Sequence, residues 1–196
     1  MGLPGFPPSV TVTVVVIAVL VFAGWYLSFS ASRLDRMHAR VEGARSALDA
    51  QLVRRASVSL QLATSGLVDP ASGLLLAQAA HEAREAGEAD REMAESDLTR
   101  ALQAALGPPG LPGQLAADPA GRELVAELAA ACQRVELARR FHNEAVRGTR
   151  VVRRKRAVRY LRLAGHAPWP PTFEMDDTPP SALLRVASGP GPTVVP

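Results

Sequence analysis

Residues 10–29 have the sequence VTVTVVVIAVLVFAGWYLSF, an uncharged run that contains the aromatic pair Trp25 and Tyr26 near its end. About 20 apolar residues at the rise of an α-helix cover the ~30 Å hydrocarbon core of a bilayer, and amphipathic rings favour its edge. Only a helix lets every backbone amide of such a run find a partner inside lipid. We therefore predict a transmembrane helix over residues 10–29, preceded by a short extracytoplasmic N-terminus over residues 1–9.

The residues that flank the run indicate its orientation. No Lys or Arg precedes Arg33, whereas a cleaved signal peptide carries positive charge before its apolar region, so an uncleaved anchor is the better interpretation. Basic residues follow the run at once, at Arg33, Arg36, Arg40 and Arg45. The positive-inside rule places the chain after Ser32 in the cytoplasm. We expect a single-pass protein of the cell membrane, and the lone Cys132 agrees with a reducing compartment.

Residues 33–164 show helical periodicity and almost no strand signal. Apolar residues recur every three or four positions at Leu34, Met37, Val41, Ala44, Leu48 and Leu52, and in a heptad pattern at Leu124, Leu128, Ala131, Val135, Ala138, His142 and Ala145. Such coiled-coil-like spacing is typical of antiparallel helices that cross at shallow angles. Between these two segments we predict one helix from Pro70 to Leu106, capped by Asp69. If this helix breaks near Gly87, it becomes two helices. The Gly/Pro-rich residues 107–113 predict a hinge.

These features predict an all-α fold, with a single N-terminal transmembrane helix followed by an up-and-down antiparallel bundle of three or four helices. Residues 165–196 are rich in proline, and we expect a disordered tail there. Within it, residues 169–177 read WPPTFEMDD, which is either a short docking motif or a segment that folds back on the bundle. We slightly favour the second interpretation.

The net charge is only +3, but the charges are unevenly distributed. Residues 147–164 contain eight basic and no acidic residues: Arg147, Arg150, Arg153, Arg154, Lys155, Arg156, Arg159 and Arg162. Three interpretations stay open, namely a solvated helix end, a patch for anionic lipid or nucleic acid, and a complement to the acidic second helix. Nucleic acid is the weakest of these, because Tyr160 is the one aromatic residue of the cluster and no binding module is recognisable.

The distance between this arginine cluster and the membrane depends on the number of helices. The third helix of a three-helix bundle rises away from the membrane, so its basic end would lie tens of ångströms from the lipid. A split of the second helix would reverse that direction and bring the cluster back to the lipid.

The sequence contains no recognisable reaction centre. The histidines His38, His81, His142 and His166 are scattered without metal-ligand spacing. The acidic residues between Glu82 and Asp97 are too densely spaced along one helix for a tuned acid–base pair, and we expect most of them to be solvated. No phosphate-binding glycine loop or nucleophile elbow is present in the sequence. We expect no enzyme activity, no cofactor and no bound metal.

Three segments follow the order and spacing of a known family. They are RMHARVEGARSALDAQLVRRASV at 36–58, AAHEAREAG at 79–87 and ACQRVELARRFHNEAVRGTR at 131–150. With the membrane helix before them, they resemble the LemA family over residues 33–146. The matching positions are Arg54, Arg55, Arg139, Arg140, Phe141, Asn143, Ala145 and Val146.

The chain resembles a divergent LemA member, because two family segments are absent. Residues 56–60 replace the family's Ile-Pro-Asn-Leu, and the arginine cluster replaces its Tyr-Asn and Phe-Pro. The resemblance implies a membrane-anchored helical bundle with a small outside N-terminus, without a settled molecular activity or a catalytic residue. The resemblance implies no cofactor.

Two functional hypotheses follow. The first is a protein-interaction or scaffold module at the inner face of the membrane, with other proteins, membrane proteins among them, as partners. The alternative is a peripheral regulator that binds anionic lipid or a membrane partner through the arginine cluster. We expect Phe141 to pack against the first helix, and Asn143 either to hydrogen-bond a neighbouring helix or to face water.

Overall fold

The computed structural model describes residues 8–154 and 169–183, without the side chains of residues 8, 11, 27, 30, 31, 34, 112 and 116. The regular elements in these ranges are all α-helices, so the all-α prediction is confirmed. They are α1 (Pro8–Thr64), α2 (Pro70–Glu85), α3 (Arg91–Leu106), α4 (Leu111–Ala117) and α5 (Pro119–Arg153).

Contacts within the chain divide it into two compact units. The first unit comprises Met1–Glu42 and Ala145–Pro170, and the second comprises Gly43–Glu144 and Pro171–Pro196. Each unit therefore contains a part of α1 and a part of α5, while α2, α3 and α4 belong to the second.

The N-terminal part of α1 contains the apolar run. Every described side chain of residues 10–29 is exposed. Phe22, Trp25 and Phe29 form a ladder of rings, with centroids 5.9 Å and 6.1 Å apart. Among the residues that the structure describes, no helix is both long enough and apolar enough to qualify as a membrane span. That finding gives the predicted transmembrane helix no support.

Two predicted boundaries in the middle of the chain need correction. The helix expected from Pro70 to Leu106 is two helices, α2 and α3, because the chain turns around Gly87. The alternative with a break at this position is the one that the structure shows. The hinge expected over residues 107–113 is shorter than predicted, since Leu111 already begins α4.

The connection between α1 and α2 depends on local signals. Gly66 follows the end of α1 with a φ of +74°, a left-handed conformation that glycine adopts without steric cost. Asp69 then caps α2 as predicted, because its Oδ1 accepts hydrogen bonds from the amides of Ala71 at 3.1 Å and Ser72 at 3.0 Å. These bonds lower the pKa of the Asp69 carboxyl, with the Ser72 contacts as the largest cause.

The second unit surrounds a continuous apolar core to which all five helices contribute. The largest fully buried apolar side chains of this core include Leu62, Leu76, Leu98, Leu102 and Leu128. A smaller cluster joins Leu48 and Leu52 of α1, Val135 of α5, and Phe173. Most of the predicted heptad positions of α5 are buried, which confirms that α5 packs along that face.

The expected disorder of residues 165–196 is wrong for residues 171–183, here called the strap. The strap packs within the second unit, where Phe173, Ala182 and Leu183 are buried. Its prolines leave residues 171–180 without regular structure, and helix is confined to residues 181–183, but they do not prevent apolar side chains from reaching the core. The favoured interpretation, a segment that folds back, therefore holds for the strap. Residues 165–168 and 184–196 lie outside the described residues.

Candidate functional site

An ion pair lies in the interior of the second unit. Arg55 on α1 and Glu95 on α3 are 2% and 1% exposed, and Arg55 Nη2 lies 2.7 Å from Glu95 Oε2. Arg55 Nη2 also donates to the Glu95 carbonyl oxygen at 3.0 Å, and Nη1 donates to Thr99 Oγ1 at 3.1 Å. Buried charges persist in proteins where they are paired and hydrogen-bonded in this way. The pair therefore joins α1 to α3.

The surroundings of this pair suit a structural role. Burial raises the pKa of Glu95, and the charge of Arg55 acts against that shift. Within the described part of the chain, Glu95 Oε1 and Arg55 Nε have no hydrogen-bond partner, and Arg91 Nε lies 3.9 Å from Oε1. Arginine does not release its proton in proteins, so the pair has no internal proton to transfer. Its geometry supplies rigidity rather than acid–base chemistry.

The adjacent Arg54 has the opposite environment. Its side chain is exposed and forms an ion pair with Glu127 on α5. Successive residues of a helix point about 100° apart, so two neighbouring arginines can face the core and the solvent. An exposed pair contributes roughly 0–1 kcal/mol because water screens it. Of the two matched arginines, only Arg55 lies in the core.

Asn143 on α5 holds the backbone of the strap. Its Nδ2 donates to the Phe173 carbonyl oxygen at 3.1 Å, and its Oδ1 accepts from the Phe173 amide at 2.8 Å. Both polar groups of one side-chain amide are therefore satisfied by one residue. Neither sequence expectation for Asn143 was correct, because its partner is the strap rather than a neighbouring helix or water.

Further polar contacts fix the strap along α5 and α3. Arg139 Nε donates to Asp177 Oδ2 at 2.8 Å. Three contacts involve α3: Glu174 N donates to Glu92 Oε1 at 2.9 Å, Asp176 N donates to Ser96 Oγ at 3.1 Å, and Gln103 Nε2 donates to the Thr178 carbonyl oxygen at 3.0 Å. The strap is thus held by specific hydrogen bonds as well as by the Phe173 ring.

His142 is buried, as expected for a core or boundary histidine. Burial lowers the pKa of His142, and the backbone carbonyl of Pro171 acts against that shift. Neither ring nitrogen has a well-formed hydrogen bond to a described residue. Burial likewise raises the pKa of the Cys132 thiol. Across residues 8–154 and 169–183, no group of three His, Cys, Asp or Glu side chains is placed to hold a metal ion.

Phe141 is not buried against α1, contrary to the prediction. Its side chain is 62% exposed, and Leu137 one turn earlier is 52% exposed. Both residues border a groove of about 220 Å³ between α1 and α5, lined by Ala44, Ala47, Gln51, Arg134, Leu137, Ala138 and Phe141. The position of Phe141 directly before the buried His142 turns it about 100° away from the core.

The remaining family-like positions divide between the core and the surface. Arg140 is exposed and pairs within α5 with Glu136, Nη2 to Oε1 at 2.6 Å. Ala145 and Val146 are buried. The structure therefore brings Arg139 and Asn143 together on the strap and leaves Arg140 and Phe141 at the surface.

The arginine cluster begins on the part of α5 that belongs to the first unit. Arg147 and Arg154 are exposed. Arg150 donates from Nε and Nη2 to the Pro170 carbonyl oxygen at 3.0 Å and 2.7 Å. The Arg153 guanidinium lies 4.8 Å from the centroid of the Trp169 ring, a cation–π contact. The other predicted members, Lys155, Arg156, Arg159 and Arg162, lie outside the described residues.

Glu95 was not among the predicted site residues, because most acidic residues of this region were expected to be solvated. A signal was present, since Glu95 precedes Leu98 by three residues and Leu102 by seven, which places all three on one helical face. The bond between Asn143 and Phe173 had no comparable signal. The two residues are thirty positions apart, and no local periodicity links them.

Comparisons of the chain with protein-family models, with curated proteins and with solved structures found no match. They neither support nor oppose the resemblance to the LemA family.

Proposed function

We propose that this protein is a membrane-anchored helical bundle, a divergent member of the LemA family, whose second unit serves as a protein-interaction module at the inner face of the cell membrane. The observation that carries the proposal is the groove between α1 and α5, where Phe141 and Leu137 are exposed beside small residues. Exposed aromatic and aliphatic side chains grouped at a groove are typical of contact surfaces. The proposal assigns no catalytic step.

The groove suits an amphipathic helix of a partner protein. Three of its lining residues are alanines, whose small side chains let a further helix approach closely. Arg134 is the one charged lining residue, and no acidic residue lines the groove. The partner helix therefore carries an apolar face for Leu137 and Phe141 and an acidic residue for Arg134.

The membrane part of the proposal is supported by the sequence and exposure of residues 10–29. This run is uncharged, and all of its described side chains are exposed. Covering one large apolar side chain stabilises by about 1.5–3 kcal/mol, so a run of this length gains most inside lipid. The arginines that follow favour the cytoplasmic side for the bundle.

The groove is tested with a photo-crosslinking phenylalanine, p-benzoylphenylalanine, placed at position 141 of the full chain in native membranes. The matched control carries the same group at Leu74, which is 71% exposed on α2. We expect position 141 to crosslink one membrane-associated protein, at an apolar helix face close to an acidic residue, and Leu74 to give no such product. Arg134→Glu should reduce the yield.

Three outcomes would contradict the groove proposal. They are no product from position 141, the same products from both positions, and a crosslink to a second copy of this chain, which would assign the groove to self-association. An identified partner residue on a loop or strand would also exclude the helical partner.

The anchor has a separate test. Membranes that contain the full chain are washed with alkaline carbonate, which removes proteins that do not span the bilayer. We expect the wild type to stay with the membranes and a Val16→Arg, Leu20→Arg variant to be released, because charged side chains are disfavoured at the bilayer centre. Release of the wild type would contradict the anchor.

A further inference from the structure

We infer that the first unit carries a binding surface for anionic phospholipid headgroups, formed by the end of α5 beside the residues of α1 that follow the apolar run. The inference rests on the proposed membrane anchor and adds a lipid partner to it. It concerns a different unit from the proposed partner groove.

The end of α5 lies beside α1 within the first unit. A Cβ placed on Gly148 would lie 3.9 Å from Met37 Cε, so these two positions face each other in van der Waals contact. α1 leaves this unit after Glu42, and α5 enters it at Ala145. The two helices are therefore antiparallel here, and the residues after Gly148 continue toward lower-numbered residues of α1.

Helix geometry then places the arginines near the end of the apolar run. At the rise of an α-helix, Met37 lies about 12 Å from Phe29, the last residue of that run. Arg153, five residues beyond Gly148, lies about 7.5 Å closer to the run along the helix axis. The distance that remains between Arg153 and Phe29 along the helix axis is smaller than the Debye length of about 8 Å at physiological ionic strength. Anionic lipid attracts cations over that distance.

Both helices contribute exposed positive charge at this level. The exposed basic residues are Arg33, Arg36 and Arg40 on α1 and Arg147 and Arg154 on α5, and the exposed acidic residues of these stretches are Asp35 and Glu42. Basic residues therefore outnumber acidic ones on the described surface of both segments. Arginine pairs well with phosphate because its guanidinium presents parallel donors.

Contacts with residues 169 and 170 give the end of α5 a defined geometry. Arg150 makes two hydrogen bonds to the Pro170 carbonyl oxygen, and Arg153 lies over the Trp169 ring. Trp169 is 52% exposed, and amphipathic indole rings favour the membrane interface. Arg147 and Arg154 are both exposed, and Arg154 lies closer to the apolar run along the helix axis, so Arg154 is the exposed arginine of α5 that a headgroup would reach first.

The experiment measures which lipid surrounds the full chain in vesicles of phosphatidylcholine with a minor fraction of phosphatidylglycerol. Spin-labelled forms of each lipid report, by electron paramagnetic resonance, the fraction immobilised against the protein. We expect the wild type to prefer phosphatidylglycerol by about fivefold or more, which is the attraction of one arginine near an anionic surface. Raising the ionic strength should weaken the preference.

The variant is Arg147→Gln with Arg154→Gln, and its matched control is Arg84→Gln with Arg122→Gln, two exposed arginines of the second unit. We expect the preference to decrease in the variant, because two exposed arginines of α5 are neutralised, and to stay at the wild-type value in the control. All three proteins should share one melting temperature, because the substituted side chains are exposed.

Equal lipid selectivity in the wild type and the Arg147, Arg154 variant overturns the inference, as does a preference that does not respond to salt. A chain that fails to float with vesicles of either composition contradicts the membrane anchor instead. The two failures are thereby distinguished.

Discussion

The two flanks of the α1 and α5 pair in the second unit are covered differently. On one flank the strap inserts Phe173, 3% exposed, against Leu48, Leu52 and Val135. On the other flank Phe141, 62% exposed, borders an open groove. Among residues 8–154 and 169–183, the chain supplies a cover for one flank only. Residues on the strap flank should therefore determine stability, and residues on the groove flank should determine recognition.

The largest effect on stability is expected from Glu95→Ala in the buried ion pair with Arg55. This change leaves the Arg55 charge buried without its partner, which costs about 3–5 kcal/mol of unfolding free energy. Denaturant titration of the full chain in detergent measures the loss. Arg54→Ala is the matched control and should cost no more than about 1 kcal/mol, because its pair with Glu127 is exposed. Equal losses in the two variants would remove the distinction between the adjacent arginines.

Phe173→Ala should be the next most damaging change, with a loss of about 3 kcal/mol, since it empties a buried aromatic site. Phe173→Leu keeps an apolar side chain there and should cost less. Limited proteolysis gives a second measurement, because the strap should become a cleavage site in the alanine variant. A strap that stays protected without the Phe173 ring would show that its hydrogen bonds are sufficient.

Asn143→Ala should cost about 1–3 kcal/mol, because it leaves the Phe173 amide and carbonyl without partners. Amide hydrogen exchange at Phe173 reports the change directly and should accelerate. Asn143→Asp keeps the acceptor but loses the donor, so its effect should be intermediate. Unchanged exchange in the alanine variant would mean that the Asn143 bonds do not hold the strap.

A smaller, pH-dependent effect is expected from His142. The unfolded chain protonates this residue near its ordinary pKa of about 6.5, but burial lowers the pKa of His142 in the folded chain. The unfolded state therefore binds more protons as the pH falls below about 6.5, and the folded state loses stability there. Above that pH the contribution of His142 is complete.

The comparison of wild type with His142→Gln between about pH 7.5 and about pH 5.5 isolates this contribution. Burial raises the pKa of Glu95, so Glu95 changes stability with the opposite sign, but it does so in both proteins. The wild type should lose more stability than the variant on acidification. Parallel pH profiles would contradict the expected role of His142.

The smallest effect on stability is expected from Phe141→Ala, within about 0.5 kcal/mol, because the side chain is mostly exposed. The same variant should lose the partner that the photo-crosslinker captures. A loss of stability comparable with that of Phe173→Ala would show that both flanks contribute to the core.

Features that depend on local sequence were predictable. Asp69 caps α2 because its side chain reaches amides two and three residues ahead, and the heptad spacing of α5 places His142 and Val135 in the interior. The break near Gly87 was foreseen as an alternative. In each case the relevant partners lie within a few residues or follow a regular period.

Features that depend on distant partners were not predictable in the same way. The match to a family motif grouped Arg54 with Arg55, and only the position of Glu95, forty residues away, shows which of them is buried. Phe141 was expected to pack against the first helix because it lies beside the heptad seam, but its side chain is 62% exposed. Proline content suggested disorder for a strap that Asn143 and the apolar cluster hold in place.

The strap also affects how the bundle is completed during synthesis. A ribosome produces the chain from its amino terminus, so residues 171–183 emerge after α1 and α5. Until they do, Leu48, Leu52 and Val135 lack the Phe173 cover, and Asn143 has no strap backbone to bind. The nascent bundle therefore exposes these side chains to chaperones and to aggregation at this flank. A premature stop codon before Thr172 would make that state permanent.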